Sequence, residues 1–155
     1  MSLLERIRHS RGYGIHSPFV YRLVREVMMP RRLNDPASTD LRDALTEMGV
    51  DRRTATRLQN YYIWAECNFW AVDYVDRFDG KERGLLIFSA DNVELAAKTA
   101  AEIGSAEATI CILHPDRCRR TIEEMIAAHR STSIDTKQVA MLFFGGHRPK
   151  QHTKL

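Results

Sequence analysis

The chain has 155 residues and a formal net charge of +3, enough length for one domain with a real core. Apolar residues make up 44% and charged ones 28%, a balance that excludes an intrinsically disordered chain. No apolar run approaches a membrane span. The opening Met1–Arg8 lacks the apolar core of a signal peptide, so a cytoplasmic protein with no membrane partner is expected.

In chain order, residues 3–9 suit a short helix. The stretch Arg11–Ser17 packs two glycines and a histidine into a tight turn. Ser17 is a good N-cap and Pro18 suits the first helical position. A helix is predicted from Pro18 to Met28, with Phe19, Val20, Leu23, Val24 and Val27 on its apolar face and Pro30 as its stop. After a loop, Ser38 or Thr39 caps a second helix bearing Leu41, Ala44, Leu45 and Met48, closed by Gly49. Asp51 caps a third. Its seam of Ala55, Leu58, Tyr62, Ala65, Phe69 and Val72 runs at helical spacing and predicts a long helix to about Asp76. Trp64 and Trp70 fall partly off that seam. The aromatic helix over 55–72 is therefore a candidate surface for self-association.

The pattern changes after Gly80. Leu85–Phe88 reads as a buried strand. Asp91–Ile103 reads as a helix, with Asp91 and Glu94 as its capping pair and Gly104 as its stop. Ala108–Leu113 is a second strand, and Pro115 opens a helix whose inner face is Cys118, Ile122, Met125, Ile126 and His129. Ser131–Asp135 and Gln138–Phe144 read as two tightly joined strands or one bent strand. The tail from Gly145 is basic and polar and is expected to be mobile. The fold class is thus α/β. A helical part, 1–78, packs on a small, mostly parallel, Rossmann-like sheet over 84–144, with a tail at 145–155, all in one domain.

Cys67, Cys111 and Cys118 are odd in number, against a disulfide framework, and no spacing suggests a metal site. The arginines at 22, 25, 31 and 32 and at 52, 53 and 57 read as solvated helix faces. The strand-end residues Asp91, Asn92 and His114 are candidate ligand-facing groups, because open α/β sheets bind ligands beyond the carboxyl ends of their strands. Capping explains Asp91 equally well. His16 and Ser17 are candidates in the opening turn, against a purely structural role there. Nothing forms a set of nucleophile, base and orienting group. A rival reading takes residues 39–62 as a helix-turn-helix or protein-interaction module, with Arg52, Arg53 and Arg57 meeting nucleic acid.

Two stretches resemble one family. Tyr13-Gly14-Ile15-His16-Ser17-Pro18-Phe19-Val20-Tyr21 is similar to the opening motif of a bacterial group of class I S-adenosylmethionine-dependent methyltransferases, typical of Bacteroidetes. Ile134–Phe144, followed by Lys150-Gln151-His152, resembles that group's closing strand and tail. The match covers about half of the chain. The resemblance implies a methyltransferase-like fold and S-adenosylmethionine as cofactor. The family's glycine-rich cofactor turn has no counterpart here: the turn after the first clear strand is Ser89-Ala90-Asp91-Asn92. The resemblance therefore transfers no cofactor-binding or catalytic residue. It implies a shortened methyltransferase-like protein without independent catalysis, the alternative being an active small-molecule methyltransferase.

Overall fold

The structure is a computed structural model and describes residues 17–146 and 148–155. The expected helix at 3–9 and the opening turn, with His16, lie outside the described residues. The chain divides into two compact units, one of residues up to Glu66 together with Leu155, the other Cys67–Lys154.

In the first unit, helix α1 spans Pro18–Leu23 and widens into a π-helical turn over Val24–Met28. Ser17 caps it, its hydroxyl accepting from Val20 N–H at 3.4 Å. Pro30 prevents the helix from continuing, so its last carbonyls need other donors. Asn34 supplies one to the Glu26 carbonyl at 3.0 Å, and Arg57 Nε another to that of Met28 at 2.8 Å. Helix α2 is Asp40–Glu47. Its exit passes through Gly49 at φ +93°, where only glycine is unstrained. Asp51 caps helix α3, Arg52–Trp64, accepting from Thr54 N–H at 2.9 Å. Trp64 leaves the apolar seam because it faces α1: its ring lies 5.6 Å from that of Phe19, and its Nε1 donates to Glu26 at 2.5 Å.

The predicted continuation of α3 to Asp76 is wrong. The helix stops at Trp64, and Glu66 takes a left-handed φ of +55°. Phe69–Val72 is strand β1, so the aromatic surface expected over 55–72 is part helix and part strand.

The second unit is a six-stranded mixed sheet in the order β1-β2-β3-β5-β4-β6. Here β2 is Gly84–Phe88, β3 Ala108–Leu113, β4 Thr132–Asp135, β5 Val139–Phe144 and β6 Gln151–Lys154. Strands β1, β2 and β3 are parallel; β5 is antiparallel to β3 and β4; β4 and β6 are parallel. Only β5 is therefore reversed. Helix α4, Val93–Glu102, links β2 to β3, and α5, Arg119–Ala128, links β3 to β4. The α/β, Rossmann-like class is as expected.

Period-two alternation sorts each strand onto two faces. Leu86, Phe88, Ile110, Ile112, Ala140 and Leu142 form one core with Ala96 of α4 and with Ile122 and Met125 of α5. The residues between them, among them Leu85, Ile87, Cys111 and Met141, are buried as well. That is why β2 and β3 read as unbroken apolar runs. The two closing strands form a hairpin. Thr136 holds its turn, the hydroxyl accepting from the N–H groups of Gln138 and Val139, both at 3.1 Å.

Three local expectations need correction. The tail is not a loose end: Gln151–Lys154 pairs with β4 as β6, from Thr132↔Gln151 to Asp135↔Lys154. Asp91 and Glu94 do not cap α4; Ala90–Asn92 is a 3-10 turn, and Asn92 occupies the N-cap without a side-chain capping bond to the helix. Pro115–Cys118 is likewise a 3-10 turn ahead of α5.

Candidate functional site

Because β1, β2 and β3 are parallel, their carboxyl ends share one edge of the sheet. Of the three non-glycine residues at positive φ among the described residues, two stand there. Asp73 follows β1 at +57° and His114 follows β3 at +51°. Such conformations are strained for ordinary side chains and often mark sites of interest.

Asp73 turns its carboxylate across to the end of β2. Its Oδ1 accepts from Ser89 N–H at 2.8 Å and from Ser89 Oγ at 3.2 Å, while its own N–H donates to the Ile87 carbonyl at 2.8 Å. Asn92 Nδ2 donates to the same Ser89 hydroxyl at 3.3 Å. The left-handed turn at His114 directs its N–H to the Gln138 carbonyl at 2.9 Å, tying the end of β3 to the start of β5. The His114 residue itself is exposed. Asp91 faces Arg117 at 3.5 Å, both well exposed, a pair of little energetic weight.

A second cluster closes the far part of this edge. Arg119 donates to Asp116 and to Asp135, and the Asp135 side chain is only 4% exposed. The Asp116 hydrogen bond, followed by that of Asp135, holds the Arg119 guanidinium charged and raises its pKa. The same contact with Arg119 lowers the Asp116 carboxyl below the usual range.

Asp73 with Ser89 and Asn92, and Arg119 with Asp116 and Asp135, are thus committed to one another, while His114 stays exposed. Ser89 Oγ donates to the Asp73 carboxylate, and among the described residues no histidine is bonded to it. Among the described residues, no group of His, Cys, Asp or Glu side chains could hold a metal ion. Burial pushes the Cys67 thiol up to about 12 and raises Cys111 further, which makes both poor nucleophiles. A cavity of about 660 Å³ opens elsewhere, between α4 and α5, walled by Ala97, Ala100, Met125 and His129 and floored by Leu142 and Phe144. None of Asp73, Ser89, Asp91 or His114 lines it.

The predicted residues thus separate. Asp91, Asn92 and His114 do stand at one strand edge, while Ser17 is a helix cap. For the helix-turn-helix reading, α2 and α3 have the expected outline. Arg52 and Arg53 are exposed, but Arg57 is buried with its Nε on the Met28 carbonyl, which removes it as a nucleic-acid contact. Thr54–Tyr61 are buried in an unbroken run, so over those two turns α3 has no free face to lay in a groove. No described helix is long and apolar enough to cross a membrane.

Asp73, Arg119 and Asp135 were missed as site residues. For Asp73 the signal was present: Phe69–Val72 is aromatic and β-branched and is bounded by Asn68 and Asp73, the usual punctuation of a short strand. Comparison with protein-family models, with curated proteins and with solved structures finds no match to this chain.

Proposed function

We infer that the chain is a reduced relative of class I S-adenosylmethionine-dependent methyltransferases and has no methyl transfer of its own. The supporting observation is the winding of the sheet. Nucleotide-binding α/β sheets hold their ligand where the strand order reverses, at a glycine turn whose N–H groups are free. Here β1 is an edge strand, and the order advances in one direction through β2 and β3 toward the closing hairpin. Among the described residues, the parallel strands β1, β2 and β3 have no reversal point between them; the order turns back only at the β4–β5 hairpin.

The residues at its strand ends also do not fit the cofactor. The turn after β1, residues 73–80, has no glycine before Gly80. Its first residue spends its carboxylate on Ser89, and the Ser89 N–H is consumed in the same contact. The next strand ends at Phe88 and is followed by Ser89, not by an acidic residue able to hold ribose hydroxyls.

Calorimetric titration with S-adenosylmethionine tests this reading. No saturable heat is expected. Saturable binding in the micromolar range would overturn it and restore the active enzyme.

A further inference from the structure

Strand β1 closes one edge of the sheet; among the described residues it pairs with β2 alone. The N–H groups of Phe69 and Asp73 donate to the carbonyls of Arg83 and Ile87, at 3.3 and 2.8 Å. Ladder alternation therefore turns the backbone groups of Trp70 and Val72 outward, to the open edge. Proteins guard such edges with lysine, proline, a bulge or a covering element. The run Cys67–Val72 contains no charge and no proline. Trp70 and Val72 are partly exposed, and Tyr74 beyond them is 45% exposed. The nearest charge, Asp73, is turned away onto Ser89.

We propose that two copies of the chain pair through this edge, β1 antiparallel to β1, with the two-fold axis at Ala71. The strand suits its own copy. With the axis there, Trp70 stands opposite the partner's Val72, and Val72 opposite the partner's Trp70. Both are outward-facing residues, so each pair exchanges two N–H···O bonds. An aromatic side chain then meets a β-branched one, a favoured cross-strand pair. Phe69 falls opposite the partner's Asp73, whose carboxylate is already engaged, so no like charges meet. A charged foreign strand would find no countercharge on residues 67–72. The contact is isologous and closes at two copies, removing both open edges. Four residues per copy fall short of a standard interface of roughly 1,600 Å², so a weak, micromolar dimer is expected.

Cross-linking of the full chain tests the register. In a background with Cys67→Ser and Cys118→Ser, Ala71→Cys places two thiols directly opposite, about 4.5 Å apart at Cα and within disulfide reach. Asn68→Cys, a more exposed position, places them about 20 Å apart along the strands. Under diamide, Ala71→Cys should link at least ten-fold more than Asn68→Cys. Sedimentation equilibrium of the unaltered chain should show monomer and dimer. Val72→Pro should weaken that association at least ten-fold, because it removes an outward N–H and spares the β2 ladder. Equal linking by the two cysteine variants, or association untouched by Val72→Pro, would overturn the proposal. So would a monomer at every concentration. A monomer with slowly exchanging Trp70 and Val72 amides would show another segment of the same chain covering the edge.

Discussion

At one edge of the sheet, β1 presents Phe69, Trp70, Ala71 and Val72. At the other, β6 presents Gln151, His152, Thr153 and Lys154, preceded by Pro149 and Lys150. The second edge is guarded by proline, lysine and polar side chains. The first has no such guard. Their anchoring differs too. Strand β6 hangs on β4, whose end is fixed by the Arg119–Asp135 ion pair, whereas the end of β1 is tied to β2 by hydrogen bonds from Ser89 to the Asp73 carboxylate, with no ion pair among the described residues. An edge built to face water is thus tied down by charge, and an edge with unspent pairing capacity is tied by a strained turn.

The largest expected effect falls on the β6 side. Arg119→Ala leaves Asp135 buried and unpaired, a loss of about 3 kcal/mol in denaturant unfolding, with faster amide exchange in β6 than in β1. A loss under about 1 kcal/mol would reduce that anchor to an ordinary surface pair. Gly145→Ala comes next. At φ +77° its new Cβ would sit 2.9 Å from Glu107 Cα, so about 2 kcal/mol is expected. Gly104→Ala, with nothing within 4 Å, should cost only about 1 kcal/mol for its positive φ.

On the β1 side, Asp73→Ala removes the acceptor for Ser89, and about 1–2 kcal/mol should be lost. Asp73→Asn keeps an acceptor and tolerates the left-handed turn, so it should recover most of that loss. If both variants lose equally, the carboxylate charge rather than the hydrogen bond holds β1.

The smallest effect is on pH dependence. Burial lowers the pKa of His129, against the Thr132 carbonyl that raises it, and burial likewise lowers His152 on β6. A histidine depressed in the folded state contributes its full stability above the unfolded value, near 6.5. That contribution is lost as pH falls below it toward the folded value. Melting temperature should therefore drop between about pH 7 and pH 5, and His129→Gln should flatten the slope. An unchanged slope would exclude His129 as its source.

Much of the second unit was legible because its strands are short apolar runs between clear stops. Strands β2 and β3 and the closing hairpin lie close to their predicted bounds. The α3–β1 junction was not legible. Apolar residues continue at helical spacing through Val72, and the break depends on Glu66 adopting an angle usually left to glycine. Strand β6 was read as a loose tail because a well-guarded edge strand is polar by nature. Arg57 was read as a solvated side chain because its partner, the Met28 carbonyl, lies 29 residues away and no local pattern encodes such a contact. At the strand ends, Asp91, Asn92 and His114 were read as sharing one edge of the sheet, and they do stand there. The sequence did not reveal that Asp73 and Arg119 would hold that edge together.

The proposal that this edge holds no cofactor can be tested residue by residue. Titration of S-adenosylmethionine into the ¹⁵N-labelled chain, followed at the amides of Asp73, Ser89 and His114, should leave all three resonances unmoved. Saturable shifts at those amides in the micromolar range would contradict a reduced, non-catalytic relative and place a working cofactor site at the ends of β1, β2 and β3.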